Sequence, residues 1–229
     1  HTNEIAQSEA YLGHEWCSQW FHVLHLNDET GKMSKSKGEF LTVSLLEDKG
    51  YNPVVYRFFC LQSHYRKTLT FSFEALDNAT VAYNKLIARI AALKADDSRQ
   101  IDEAAEEALR EKFNRAMCND LNTSLAITAL YDVLKYKTND KTKLLLLDEF
   151  DQVLSLDLLK AAAEVKKKAE EEAAKKLEGV DPEILALVEE RTAAKKAKNF
   201  ARADEIRDML KERGITLKDT PQGVEIIKE

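Results

Sequence analysis

At 229 residues the chain is long enough to bury a substantial core, and length alone admits one large domain or two smaller ones. Its 44% hydrophobic and 32% charged residues suit a globular protein, and no apolar run approaches the roughly 20 residues that span a bilayer, which excludes a helical membrane protein. The net charge of −6 excludes a generally basic nucleic-acid coat but leaves room for local cationic strips.

The first residues, His1 to Ala10, lack both a basic region followed by an apolar stretch and an initiator Met, and they read as the interior of a longer chain. Cys17, Cys60 and Cys118 are far apart and odd in number, which suggests neither a disulfide framework nor a metal knuckle. A reducing, cytoplasmic setting is expected.

From His1 to about Tyr65 the composition is mixed and rich in aromatics, which predicts an α/β region. Its strands are expected at Trp20 to Leu26 and at Phe40 to Val43. Between them lies Lys32-Met33-Ser34-Lys35-Ser36, bracketed by Gly31 and Gly38. Two ammonium groups three residues apart on a glycine-flanked loop can fold over a triphosphate and follow its charge as it moves. A solvated lysine-serine loop has the same composition, but the five-residue string would arise by chance in only about one in ten thousand chains of this length.

After Ser72 the period changes to helical. Leu76, Ala79, Tyr83, Leu86, Ile87, Ile90 and Leu93 form one stripe of a long amphipathic helix. Further helices are predicted from Asp102 to Cys118, Thr123 to Lys137 and Lys141 to Ser155, with short polar links that favour antiparallel neighbours in a bundle. Phe113, Leu121 and Tyr131 read as packing residues. Lys160 to Glu178 are almost all Ala, Lys and Glu, a solvated connector that could be rigid or partly disordered. Asp181-Pro182-Glu183 starts another helix and Asn199 caps a second that ends at Gly214. Ile215 to Leu217 and Val224 to Ile227 then form two short strands around Asp219 to Gly223.

Arg191, Lys195 and Lys198 fall at four- and three-residue spacing on the first of these late helices, so they share a face that could follow phosphates. Glu189, Glu190, Asp204, Glu205 and Asp208 are interspersed and could instead pair with them. His1 and Glu4, three apart, could converge on one metal, though Glu4 alone also reads as an ordinary surface acid.

The lysine loop resembles the KMSKS signature of class I aminoacyl-tRNA synthetases, and the surrounding blocks resemble the cysteinyl-tRNA synthetase family. His1 to Ser8 is similar to the end of that family's H-H-x-N-E-I-A-Q-S segment, and Trp20-Phe21-His22 to its W-x-H element. Arg57-Phe58-Phe59, His64-Tyr65-Arg66 and Asn119-Asp120-Leu121-Asn122-Thr123 are similar to further family blocks. So are Lys198 to Asp204 and Asp219 to Gly223, so the similarity covers nearly the whole chain, weakest between Leu144 and Val180.

The resemblance implies a mostly α fold with a small α/β remnant. The end of a Rossmann-like class I catalytic domain (1–70) is followed by a helical bundle (71–158), a connector (159–180) and a helix-pair plus β-hairpin module (181–229). It implies part of a cysteine-tRNA ligase that makes cysteinyl-adenylate from cysteine and ATP with Mg2+, then esterifies tRNA(Cys). Lys35 would contact ATP with Lys32 as its partner and Ser34 and Ser36 as donors. Glu4 would be a zinc ligand, with His1 a further candidate. Arg191, Lys195, Lys198 and Gln222 would face the tRNA. The zinc cysteines and the HIGH-type ATP motif of the family do not occur here, so the chain alone is expected neither to hold zinc tightly nor to activate cysteine. A monomer is expected. The alternatives are a cysteine-amino sugar ligase and a non-catalytic RNA-binding protein.

Overall fold

The computed structural model describes residues 1–28, 31–32, 42–94, 97–177, 182–197, 199–212, 214–220 and 223–228. These divide into two compact units, His1–Val165 and Lys166–Glu229, with the division inside one long helix.

The first unit opens with α1 (Thr2–Leu12), which ends at Gly13 in the left-handed region, its N–H bonding Glu9 O at 2.8 Å. Three very short strands follow in chain order: β1 (Leu26–Asp28), β2 (Gly31–Lys32) and, after two helices, β3 (Leu69–Thr70). They form one sheet in the order β2-β1-β3, with β1 antiparallel to β2 and parallel to β3. Of the strand expected from Trp20 to Leu26, only Leu26 joins this ladder. Phe21, Val23 and Leu24 are at least half exposed, because alternating bulky residues make a strand only where a partner backbone lies alongside. The other expected strand also fails at its described end: Phe40 and Leu41 lie outside the described residues, and Thr42 caps α2 (Val43–Asp48), accepting from Leu45 N at 3.1 Å.

Asn52 and Pro53 start α3 (Pro53–Leu61): the Asn52 side chain accepts from Val54 N at 2.9 Å and Pro53 occupies the first turn, where no N–H is needed. The bundle is then α4 (Phe73–Ala91), α5 (Glu103–Cys118), α6 (Thr123–Lys135) and α7 (Asp140–Leu154), capped in turn by Ser72, Asp102, Asn122 and Asn139. The α4 stripe is buried as its spacing predicts, from Leu76 through Ile90. It joins Phe58 and Phe59 of α3, Phe113 of α5, Leu130 of α6 and Leu147 and Phe150 of α7 in one core. Each fully buried leucine there contributes about 1.5–3 kcal/mol of transfer free energy.

The Ala/Lys/Glu segment is a continuous helix, α8 (Leu158–Leu177). Its base is fixed: Leu156 and Leu158 are fully buried, and both their amides donate to the Asp151 carboxylate, at 2.6 and 2.8 Å. Beyond Ala162 its residues through 172 are exposed, as their composition requires.

In the second unit α9 (Pro182–Lys196) and α10 (Phe200–Glu212) pack together, and Gly214 at φ 71° turns the chain into β4 (Ile215–Thr220), antiparallel to β5 (Gly223–Lys228). Its core is Ile206, Leu210 and Ile215, flanked by Ile184, Leu187, Val188 and Leu217.

Candidate functional site

The lysine loop leaves the sheet at an edge strand. Lys32 lies opposite Asn27 in the β1–β2 pair, and Asn27 O accepts from Phe71 N at 2.7 Å, which ties the base of the loop to the start of α4. The far end of the loop meets Thr42 and α2, whose Leu46 is buried. Ser34, Lys35 and Ser36 lie outside the described residues. What is described is therefore the mounting: a strand on one side and a capped helix on the other, built into the core that also carries the bundle.

Two blocks that the sequence presents more than 50 residues apart meet beside this sheet. Asp120 sits in the turn between α5 and α6 with φ 53°, followed by Leu121 at φ 50°. Asp tolerates this region better than most residues, because a short polar side chain can bond locally, whereas Leu121 has no such side chain. The Asp120 carboxylate accepts from the Tyr65 hydroxyl and from Arg66 Nε, the latter at 2.7 Å, with Arg66 Nη2 at 3.2 Å. Its backbone carbonyl lies 2.9 Å from His64 Nε2. Hydrogen bonds from Tyr65 and the Arg66 charge hold the Asp120 carboxyl below the ordinary carboxylate range, while Tyr65 and Asp120 raise the Arg66 guanidinium. The Tyr65 ring stacks on His64 and packs against Phe21, with centroids 4.8 and 4.3 Å apart. Every charged group in this cluster is satisfied by another, an arrangement suited to holding geometry.

The same residues border a mostly apolar cavity of about 560 Å³, lined among others by Phe21, Leu24, Tyr56, Cys60, Tyr65 and Leu121. Leu121 is thus 45% exposed on the cavity wall, where the sequence suggests a packing residue; the left-handed turn at Asp120 and Leu121 swings it away from the bundle core. Burial pushes the Tyr56 phenol up to about 12, with the Cys60 charge second, and burial also raises the Cys60 thiol. A raised thiol disfavours the thiolate, which makes Cys60 a poor nucleophile.

Arg57, from another of the family-like blocks, donates from Nε to Leu154 O at 2.6 Å, and the buried Tyr83 hydroxyl donates to Leu156 O at 2.7 Å. Both brace the α7–α8 junction. The sequence marks Arg57 by its block and Tyr83 by its stripe, but neither pattern reveals a carbonyl brace.

At the start of the chain the His1 ring packs against Trp20 and His22, with centroids 5.4 and 5.0 Å apart, and the Glu4 side chain is 62% exposed. Among the described residues no group of three or more His, Cys, Asp and Glu is placed to hold a metal ion. Glu4 and His1 supply two donors where a closed zinc site takes four, and Cys17 instead donates to Gln19 O at 3.0 Å. The described residues therefore do not by themselves build a zinc site.

In the second unit Arg191 is 3% exposed, while Lys195 is exposed; Lys198 and Gln222 lie outside the described residues. The shared-face expectation needs correction at Arg191. It continues the inward stripe of Ile184, Leu187 and Val188 at helical spacing, so it faces the module's interior. On α10 Arg202 is engaged by Glu190 and Glu205 at 2.9 and 3.0 Å.

Comparison with known proteins gives three family matches in order along the chain: the tRNA synthetases class I (C) catalytic domain at residues 1–81, the DALR domain at 112–180, and the cysteinyl-tRNA ligase anticodon-binding domain at 177–226. Among curated relatives, the cysteine-tRNA ligase of Brevibacillus brevis is 42% identical over 98% of this chain and 49% of its own length. That of Shouchella clausii is 40% identical over 98% and 49%, and that of Borreliella burgdorferi 34% over 99% and 48%. The chain spans about half the length of the curated relatives it matches. No helix among the described residues is long and apolar enough to cross a membrane. With the family blocks in order, the lysine string mounted on a sheet edge and these matches across its length, the chain belongs to the cysteinyl-tRNA synthetase family.

Proposed function

We propose that this chain forms the ATP-loop and tRNA-contacting part of a cysteine-tRNA ligase. The observation that carries the proposal is the intact Lys32-to-Ser36 string between β2 and α2, in a chain 34–42% identical over nearly its full length to proteins named for that activity.

In this reading the cysteine carboxylate attacks the α-phosphorus of ATP, an oxygen-phosphorus bond forms, and pyrophosphate departs. Lys35, with Lys32 as its partner, stabilises the negative charge that builds on the phosphates. A flexible point charge suits a moving target better than a rigid guanidinium fork. Ser34 and Ser36 add hydrogen-bond donors. A ribose hydroxyl of the 3′-terminal adenosine of tRNA(Cys) then attacks the carbonyl carbon of the adenylate, so that the cysteinyl ester forms and AMP departs. Domain roles follow the sequence boundaries: 1–70 carries the loop, 71–158 supports the tRNA stem, 159–180 connects, and 181–229 faces the anticodon. Lys195, Lys198 and Gln222 are the residues proposed to meet RNA, while Arg191 holds the module together from inside. Glu4, with His1 beside it, contributes to a zinc site whose remaining ligands lie outside the described residues.

The anticodon-binding match at 177–226 favours tRNA over an amino sugar as the acceptor. The test uses the full-length gene product with labelled cysteine and ATP, offering tRNA(Cys) and an amino sugar separately. Label in acid-precipitable tRNA is the expected result. A product formed only with the amino sugar, or none with either, overturns the proposal.

A further inference from the structure

The sheet that mounts the lysine loop is too small to hold itself. Its strands have three, two and two residues, and β1 is matched by only two register pairs on each side. Isolated pairs this short are not stable in water, and sheets ordinarily need more strands or a packed partner. Something outside the ladder must fix its register.

The segment His64 to Lys67 is placed to do so. Tyr65 O accepts from Leu24 N at 3.0 Å, two residues before β1, and Lys67 N donates to His64 O at 2.8 Å in a tight turn. The chain then runs into β3, which pairs with β1, while Phe71 N closes on Asn27 O. Lys32 is the residue opposite Asn27. Three consecutive side chains of this segment, His64, Tyr65 and Arg66, end on Asp120 of the bundle. Asp120 is in turn fixed by its own turn, where Leu121 N bonds Met117 O and Asn122 N bonds Ala116 O, each at 3.1 Å.

We propose that Asp120 is a positioning residue: it fixes the His64–Lys67 turn and, through that turn, the β1–β2 base that carries Lys32 at the start of the lysine string. The β1–β2 base is thereby tied to the bundle and not to the sheet alone. This inference rests on the ligase reading for its effect on rate, and on the fold alone for the tether.

Asp120, Tyr65 and Arg66 are partly open to water, so removing the carboxylate leaves groups that solvent can satisfy. The loss therefore falls on geometry and rate, with little change in overall stability. A displacement of about 1 Å at reacting groups lowers rate by on the order of 100-fold.

The experiment compares wild type, Asp120→Ala, Asp120→Asn, Tyr65→Phe and the Tyr65→Phe/Asp120→Ala double variant in the full-length gene product. It reads cysteine-dependent ATP–pyrophosphate exchange, melting temperature, and amide hydrogen exchange at Leu24 and Phe71. Asp120→Ala is expected to lower kcat about 10- to 100-fold, with KM for ATP and cysteine within about threefold. It should shift the melting temperature by less than about 4 °C. Exchange of the Leu24 and Phe71 amides should accelerate by on the order of 10-fold or more. The double variant should be no worse than Asp120→Ala by more than about threefold, since both lie on one tether. If Asp120→Ala does not fold, Asp120→Asn decides by the same readouts, since it keeps the shape and one acceptor. Unchanged amide exchange overturns the tether. Accelerated amide exchange with kcat within threefold of wild type overturns the positioning role. A wild type that tethers normally but shows no cysteine-dependent exchange sinks the ligase reading instead.

Discussion

Replacing Phe150 by Ala tests the bundle that carries the Asp120 turn. Phe150 and Phe113 are 2% and 4% exposed, and their rings stack at 4.0 Å with 10° between planes, joining α7 to α5. Truncation removes about 1.5–3 kcal/mol of transfer free energy, and the neighbours relax only partly into the space left. A total loss of about 3–5 kcal/mol is expected, a large share of the roughly 5–15 kcal/mol that stabilises a domain. The assay is urea unfolding of the chain followed by far-UV circular dichroism, with amide exchange to assign the loss to α5 and α7. In a double-mutant cycle with Phe113→Ala, the two losses should overlap by about 0.5–1.5 kcal/mol, the value of an aromatic pair beyond its buried area. A single-variant loss under about 1 kcal/mol, or additivity within about 0.3 kcal/mol, would refute close packing between these rings.

Two further outcomes follow from burial. Tyr56 and Tyr83, two of the seven tyrosines, are both pushed up to about 12, mainly by burial. Their folded values lie above the unfolded value of about 10, so their contribution is complete below pH 10 and is lost as pH rises towards 12. An ultraviolet phenolate titration should show them ionising last, together with unfolding; ionisation of all seven near pH 10 with the fold intact would contradict this. In the second unit, Arg191→Ala should cost about 1–3 kcal/mol through lost packing of its stem and head, read as faster amide exchange in α9 and α10. Lys195→Ala should stay within about 0.5 kcal/mol of wild type in stability while weakening tRNA binding in proportion to one lost phosphate contact; the reverse pattern would reinstate Arg191 as a surface cation.

The helical part of the fold is legible in the sequence because two local signals coincide there. The α4 stripe gives the buried face, and Ser72, Asp102, Asn122 and Asn139 supply side-chain acceptors where the helices begin. The α3 start carries the same kind of signal in Asn52-Pro53, but the run Val54, Val55, Tyr56, Phe58 and Phe59 has strand-like composition that masks it. The strands are poorly legible for a different reason. At two or three residues each they have no period to read, and their existence depends on partners distant in sequence.

Within the site, the lysine string and the family blocks stand out as residues, but their contacts do not. Nothing local in His64-Tyr65-Arg66 says that it closes on Asp120, 54–56 residues later, or that Asp120 and Leu121 take positive φ. Arg191 illustrates the converse limit. Its spacing to Lys195 suggests a shared face, but Arg191 continues the stripe of Ile184, Leu187 and Val188 and is buried, while Lys195 one turn on is exposed.

The most direct measurement of the central claim is cysteine-dependent ATP–pyrophosphate exchange by the full-length gene product, compared with its Lys35→Ala variant. The account predicts exchange in the wild type and a fall in the variant of on the order of 100- to 1,000-fold, with a much smaller change in tRNA affinity. Exchange at the wild-type rate with the Lys35 ammonium removed would contradict it.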